Sequence, residues 1–374
     1  MNYGKYTSRQ SKVVGRVYLL AATVITYGLN LFTSFKNKPR RWLEWTFLLC
    51  LIVLMGANTY NADFSTYQWL YTAKIPYGEP GYRLLTQLGY FLGLSYQQFR
   101  LILAALFLII LHRGVQKLTT HSAEFMAFYF CYPFFLDLIQ LRNFMMMALL
   151  VYASHFLLTN TYRDVTLFTL LVLLGASFQN LGVLYLLVVP LYTLDSTNVG
   201  KISLLGVVFL LAIVVMSPPI AQLLLAALGQ LHLSHLSLYF VQKVHLGYLP
   251  FWLFSLFDLA FTYFSYRYLT ERQLLTPQKR QVIWLAFIFT IVGVVTMPLY
   301  TFEFSFARAL RNVVPFVVIT YLITREALPA TYYLRWCYSG VFLSYFVCLL
   351  YFEMLPLWQD TILPAFSHNW LLGG

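Results

Sequence analysis

Asp137, Gln140, Arg142 and Asn143 interrupt an otherwise aromatic and aliphatic run, PFFLDLIQLRNF, at residues 133–144. A guanidinium stays protonated and offers planar donors that fit two phosphate oxygens at once. A carboxylate beside it can accept a proton from a hydroxyl. The cluster therefore points to anion binding with a general base close by. A plainer arrangement also fits, in which Arg142 is neutralised by Asp137, Glu303 or another acid.

Other polar residues stand out in the same way: Asp63, Glu79 and Arg83, then Gln179 and Asn180, then Glu303, Arg308 and Arg311. Arg308 and Arg311 are three apart and share one helical face, where they can bind an anion or snorkel to an interface. Asp63 and Glu79 also fit a solvated loop. The aromatics Tyr60, Tyr67, Trp69, Tyr71 and Tyr82 can stack on sugar rings, but the Tyr and Trp belts of membrane interfaces explain them better. His232, His235 and His245 lack an HExxH pattern or a matched acid, which argues against a metal site. No glycine-rich phosphate loop is visible, so a nucleotide-driven reaction has no support.

The elements that position these groups follow from composition. The chain has 374 residues, 60% hydrophobic, 19% aromatic and 10% charged, with mean hydropathy +0.69. Soluble domains carry roughly 25% charged residues, and the apolar residues come in blocks rather than alternating as in a barrel. The class is an all-α polytopic helical membrane protein, a single integral membrane domain over 1–374. About 10–12 membrane segments are expected from the ~20 apolar residues each needs, some of them short, broken or re-entrant. The excess of 25 Lys and Arg over 13 Asp and Glu reflects cytoplasmic loops and not nucleic acid, because no interleaved basic and aromatic patch accompanies it. Cys50, Cys131, Cys337 and Cys348 have neither metal-ligand nor disulfide spacing.

KNKPRR at 36–41 closes a basic N-terminal region, 1–41, and sets the cytoplasmic side. With four basic residues before it, the uncertain first segment, 17–35, is interfacial or re-entrant, or else the N-terminal tail is an external exception to the rule. From there the polar stretch 58–80 is an external loop, and 81–96 is amphipathic or re-entrant. Spans at 97–112, 124–139, 144–159 and 165–178 follow. Pro218 and Pro219 kink 202–228. Residues 229–248 form a second external loop and 355–374 an external tail. This alternation leaves Lys74, Arg83, Arg100, Arg142, Lys243, Arg308 and Arg311 on the outer side, and the positive-inside rule does not explain the group of Arg83, Arg142, Arg308 and Arg311 among the polar residues collected there. An anionic substrate at the outer leaflet explains the grouping.

NTYNADFSTYQWLY (58–71), EPGYRLLTQLGYFLGLSYQQFRLILAALFL (79–108), LIQLRNFMMMALLVYA (138–153) and SFQNLGVLYLL (177–187) resemble, in order and spacing, the landmarks of the EpsG family of Wzy-like exopolysaccharide and O-antigen polymerases. The resemblance covers 42 to about 195 well, and the rest by hydropathy and the arginines near 308. Two departures stand out: Gln179 replaces a common histidine, and GANTYN lacks a basic residue before Asp63. The resemblance implies a GT-C-like glycosyltransferase of the bacterial cytoplasmic membrane, needing no cofactor or metal. It would join oligosaccharides carried on undecaprenyl pyrophosphate at the outer leaflet, with other polysaccharide assembly proteins as further candidate partners. The expected catalytic residues are Asp63, Arg142 and Asp137. The expected substrate-binding residues are Glu79, Arg83, Gln140, Asn143, Gln179, Asn180, Arg308 and Arg311. Two other readings use the same groups: addition of single sugars from a lipid-linked donor, and a lipid-linked oligosaccharide flippase. An inverted repeat would favour transport, and none is evident.

Overall fold

The computed structural model describes residues 3–35, 40–159, 161–193, 206, 247–301, 304–329 and 333–372. The expected kink at Pro218 and Pro219, most of the loop 229–248 with its histidines, and Glu303 lie outside them. Among the described residues the chain is helical, apart from an isolated bridge between Asn58 and Asn369. Two compact units emerge: Met1–Val183 with Phe342–Gly374, and Leu184–Val341.

The first unit is built from α1 (Tyr3–Phe35), α2 (Arg41–Gly56), α3 (Phe64–Thr72), α4 (Pro80–Phe91), α5 (Tyr96–Leu118), α6 (Ser122–Cys131), α7 (Phe134–Ile139), α8 (Leu141–Ser154) and α9 (Tyr162–Ala176). Local chemistry explains several boundaries. Ser95 and Gln98 form a reciprocal capping box at the start of α5. Thr161 accepts from the Asp164 N–H at the start of α9. Pro80 sits at the first position of α4, where its missing N–H costs nothing.

Nearly every side chain of α8 is buried, so this helix is the centre of the unit, packed between α5 and α9. Gly114 permits the closest approach: a Cβ there would lie 2.7 Å from the Tyr152 Cα. Because Gly114 near the end of α5 meets Tyr152 near the end of α8, the two helices run parallel. Gly175 near the end of α9 packs on Met146 near the start of α8, so α9 runs back. One end of the unit therefore collects the end of α2, the starts of α5 and α8 and the end of α9.

Helix α4 is turned inside out relative to a soluble amphipathic helix. Tyr82, Thr86 and Gly89 face inward, while Leu84 and Phe91 are 66% and 85% exposed. That is how a helix lies against lipid, and it gives physical form to the amphipathic segment expected at 81–96.

Three helical stretches are long and apolar enough to cross a membrane among the described residues: Tyr96–Leu118, Leu141–Leu158 and Tyr333–Ser367. Tyr18–Ser34 and Asn180–Thr193 are shorter apolar helices. The protein is thus an all-α membrane protein. The residues after α14 (Tyr333–Leu349) continue helically into α15 (Leu363–Ser367). Beyond α15 the tail docks on the end of α2: the Trp370 N–H donates to the Ala57 carbonyl at 3.0 Å and the Thr59 N–H to that of His368 at 2.9 Å.

The second unit contains α10 (Val188–Thr193), α11 (Leu249–Glu271), α12 (Pro277–Val294), α13 (Arg308–Ala327) and the first part of α14. Helices α11, α12 and α13 pack on one another, with Phe289 stacked on Phe316 at 3.9 Å between ring centroids.

Candidate functional site

The helical path between α7 and α8 breaks at Gln140, whose φ of −100° and ψ of 59° are not helical. Arg142 follows at once, in the first turn of α8, where the unpaired backbone N–H groups and the helix dipole favour negative charge. Gln140 supplies no side-chain cap to those N–H groups.

Around Arg142, helix α3, which occupies the middle of the stretch 58–80 expected to be a loop, the turn after it and the start of α4 build a cage. Nη1 pairs with the Glu79 carboxylate, and Nη2 donates to the Tyr67 hydroxyl at 3.0 Å. The guanidinium lies over the rings of Tyr67 and Tyr82, 5.6 and 5.9 Å from their centroids. Tyr77 stacks on Tyr67 at 5.3 Å, and its hydroxyl lies 3.4 Å from that of Tyr82. Burial pushes the Tyr77 hydroxyl pKa up, which keeps it neutral beside the ion pair.

Gly78 lets the loop turn over the arginine. Its φ is +77°, and a Cβ there would sit 3.0 Å from Arg142 Nη1. The cage is not sealed, since the Arg142 side chain is 24% exposed and that of Glu79 is 12% exposed. A guanidinium has five N–H donors, and Glu79 and Tyr67 take one each. Among the described residues the other three donors have no hydrogen-bond partner.

Asp63 sits at the N-cap of α3, half-buried, one helical turn before Tyr67. Its position is set by an asparagine ladder. Asn58 Oδ1 accepts from Asn61 Nδ2 at 2.9 Å, and Asn61 Oδ1 accepts from the Asp63 N–H at 3.1 Å. Asn58 itself bridges to Asn369 of the docked tail, and the His368 ring lies tilted against Tyr60 at 5.0 Å between centroids.

Gln179 and Asn180 occupy the break after α9, between Ala176 and a 3-10 turn beginning at Asn180. The neighbouring Ser177 carbonyl accepts from the Gly81 N–H at 2.8 Å, which ties that break to the start of α4. Asp63, Glu79, Gln140, Arg142, Asn143 and Gln179 therefore gather at one end of the first unit. Arg83 is exposed on α4. Asn143 is buried, so it supports the start of α8 from the inside.

Asp137 is 1% exposed and accepts from the Tyr129 hydroxyl at 2.9 Å. The acid that neutralises Arg142 is Glu79. Arg308 and Arg311 lie in the first turn of α13 in the second unit, with Arg311 buried.

The EpsG family model matches residues 14–364. The chain belongs to the EpsG family. No curated protein and no solved structure matches it. The match extends well beyond the 42–195 stretch that carries the visible motifs and takes in both units. EpsG proteins are Wzy-like, glycosyltransferase-type polymerases of exopolysaccharide biosynthesis, acting in a membrane on a lipid-linked saccharide.

Tyr77 and Arg100 were not among the sequence candidates. A signal for Tyr77 exists in retrospect: YGE places an aromatic and a turn glycine just before the acid. Arg100 was visible only as one more arginine on the outer side, with nothing to separate it from Arg142.

Proposed function

We propose that this EpsG protein transfers a growing glycan from its undecaprenyl-pyrophosphate carrier to a second lipid-linked repeat unit at the outer leaflet of the bacterial cytoplasmic membrane. The bond between the anomeric carbon and the diphosphate oxygen breaks, and its electron pair leaves with the lipid diphosphate. The acceptor hydroxyl forms the new glycosidic bond and loses its proton.

The observation that carries this reading is Arg142: a partly exposed guanidinium at a helix start, with three donors left among the described residues and its rotamer held by Glu79, Tyr67 and Tyr82, with Tyr77 packed behind them. A preoriented cation is worth most where charge develops on the leaving group. Glu79 then acts as a positioning residue and holds the guanidinium until a diphosphate arrives. Gln140 and Asn143 shape the helix start, and Arg83, Gln179 and Asn180 border the approach to it.

Asp63 is the proposed base, because it is one turn from Tyr67 and Gln179 cannot exchange a proton near neutral pH. Burial and the bond to Tyr129 make Asp137 a structural residue in this scheme. Arg308 and Arg311, at a helix start of their own, are proposed as a further anion-binding pair. The GT-C likeness and the carrier's identity belong to this proposal.

Membranes carrying Arg142→Ala, Arg142→Lys or Asp63→Asn at normal levels should be compared for polymer length and lipid-linked precursor. We expect Arg142→Ala to lower polymer formation by about 100-fold or more, with precursor accumulating. Arg142→Lys should restore only part of it, because an ammonium lacks the planar fork. Unchanged polymer in Arg142→Ala overturns the proposal.

A further inference from the structure

The second unit holds a cavity of about 620 Å³, bordered by α11, the end of α13 and the start of α14. Its walls are apolar, with Phe257, Phe261, Phe264, Leu328, Leu334 and Val341 among them. Of the polar groups inside, the Ser265 and Tyr338 hydroxyls lie 2.8 Å apart and the Tyr338 ring stacks on Phe261 at 4.7 Å, while the Thr324 hydroxyl is buried without a hydrogen-bond partner among the described residues. Apart from these hydroxyls the interior is apolar. The mouth is apolar too, since Phe264 is 64% and Val341 54% exposed. Such a cavity suits a hydrocarbon chain entering from lipid.

One edge of this cavity is charged. Arg267 lines it together with Glu271, its partner at 2.7 Å. Arg335, next to the lining residue Leu334, reaches the carbonyl of the lining residue Leu328 at 3.4 Å. Arg272, Lys279, Arg280 and Arg325 belong to the same end of the unit, which is fixed by the Lys279–Glu326 pair at 2.7 Å between the start of α12 and the end of α13. Only Glu271 and Glu326 oppose these six cations in 267–335 among the described residues. A basic end of this kind is the one the positive-inside rule assigns to the cytoplasm.

We propose that the cavity is a binding site for an anionic glycerophospholipid of the cytoplasmic leaflet. One acyl chain fills the space between α11, α13 and α14, and the phosphate sits at the Arg267 and Arg335 edge. A basic pocket between helices at the cytoplasmic side is the arrangement that recognises such headgroups. The Arg267–Glu271 pair is exposed and weak, so a phosphate can displace or share it. The proposal does not depend on the reaction assigned above.

The test uses the full-length protein in detergent micelles, titrated with phosphatidylglycerol or phosphatidylcholine of matched chains. Native mass spectrometry reads the bound lipid. Phosphatidylglycerol should bind one per chain and on the order of tenfold more tightly than phosphatidylcholine, and Arg267→Ala with Arg335→Ala should bring the two lipids to parity. Ala260→Trp should abolish the bound lipid by filling the cavity. A measurement on the unmodified chain guards against misfolded variants. Cys337 lines the cavity, so bound phosphatidylglycerol should slow its alkylation, read peptide by peptide. Equal binding of the two lipids, or Cys337 alkylation that phosphatidylglycerol leaves unchanged, overturns the proposal.

Discussion

Arg100 and Arg142 stand at the same end of the first unit, each at the start of a helix, and the fold uses them in opposite ways. Arg100 is 3% exposed. Its Nη2 donates to the carbonyls of Met55 and Leu138, both at 3.0 Å, and its guanidinium lies 5.4 Å from the Phe64 ring centroid. It closes the carbonyl ends of α2 and α7, where no helical partner exists. Arg142 faces side chains instead of backbone and remains partly open, so its unused donors can be reached, whereas the unpartnered Nε of Arg100 is sealed in the interior. A buried arginine whose partners are neutral carbonyls is a structural clamp. One whose partners are an acid and two tyrosine rings, partly open at a helix start, fits the exchange of one anion for another proposed above.

The sharpest way to break that contrast is to remove each guanidinium in turn. Arg142→Ala should lose about 100-fold or more of polymer formation while the protein accumulates and melts almost normally. Arg100→Ala should do the reverse. It leaves two buried carbonyls without a donor, at about 1–3 kcal/mol each, so the yield of inserted protein and its melting temperature should fall. Whatever folds should keep most of its activity per molecule. Equal stability loss in both variants would erase the distinction, as would an Arg100→Ala protein that folds well and makes no polymer.

This contrast was only half legible from sequence. Both arginines were visible as cations on the side where positive charge is not expected, and the break at Gln140 followed from polar residues inside an apolar run. What could not be read was which carbonyls or acids each would meet, because α2, α7 and the loop before α4 come from distant parts of the chain. Glu79 is 63 residues from Arg142 along the chain, and no local pattern prefers it to Asp137, only five residues away. The helical, membrane-spanning class was readable, because it rests on composition and hydropathy alone. The tight approach at Gly114 and the tail returning to Ala57 were not.

Glu79→Gln tests whether the acid positions Arg142 or competes with substrate for it. Loss of the charge leaves the guanidinium hydrogen-bonded but not neutralised. If positioning dominates, polymer formation should drop by about tenfold, the ~1.4 kcal/mol of one weakened charge-assisted bond. A rise in activity would show that Glu79 is an inhibitor of the site and would rewrite its role. Gly78→Ala probes the same arginine through the backbone. The positive φ and the 3.0 Å approach to Nη1 together should cost about 1 kcal/mol or somewhat more. That cost should appear as a higher apparent KM for lipid-linked substrate, with a small change in melting temperature. The matched change Gly340→Ala, in a helix where a Cβ meets nothing within 4 Å, should be neutral or slightly stabilising.

The smallest expected loss of polymer formation is that of Tyr67→Phe, and it is the finest test of the cage. The ring would stay in place, over the guanidinium at 5.6 Å and against Tyr77, while the hydroxyl that accepts from Nη2 would be lost. A hydrogen bond to a charged group contributes roughly 1.5–3 kcal/mol when buried, and this one is partly open to solvent, so a loss near 1 kcal/mol, about fivefold in polymer formation, is expected. Tyr67→Leu would remove the cation–π contact as well, for a further 0.5–1 kcal/mol or so. If Phe and Leu behave alike, the ring contributes nothing and the cage is only a wall. If Phe matches the native protein while Leu fails, the aromatic face holds Arg142 and the hydroxyl is incidental. The comparison with Arg100 predicts a graded series, because the Phe64 face in that site is backed by two carbonyl bonds and the Tyr67 face in this one is backed by a single hydroxyl and a single acid.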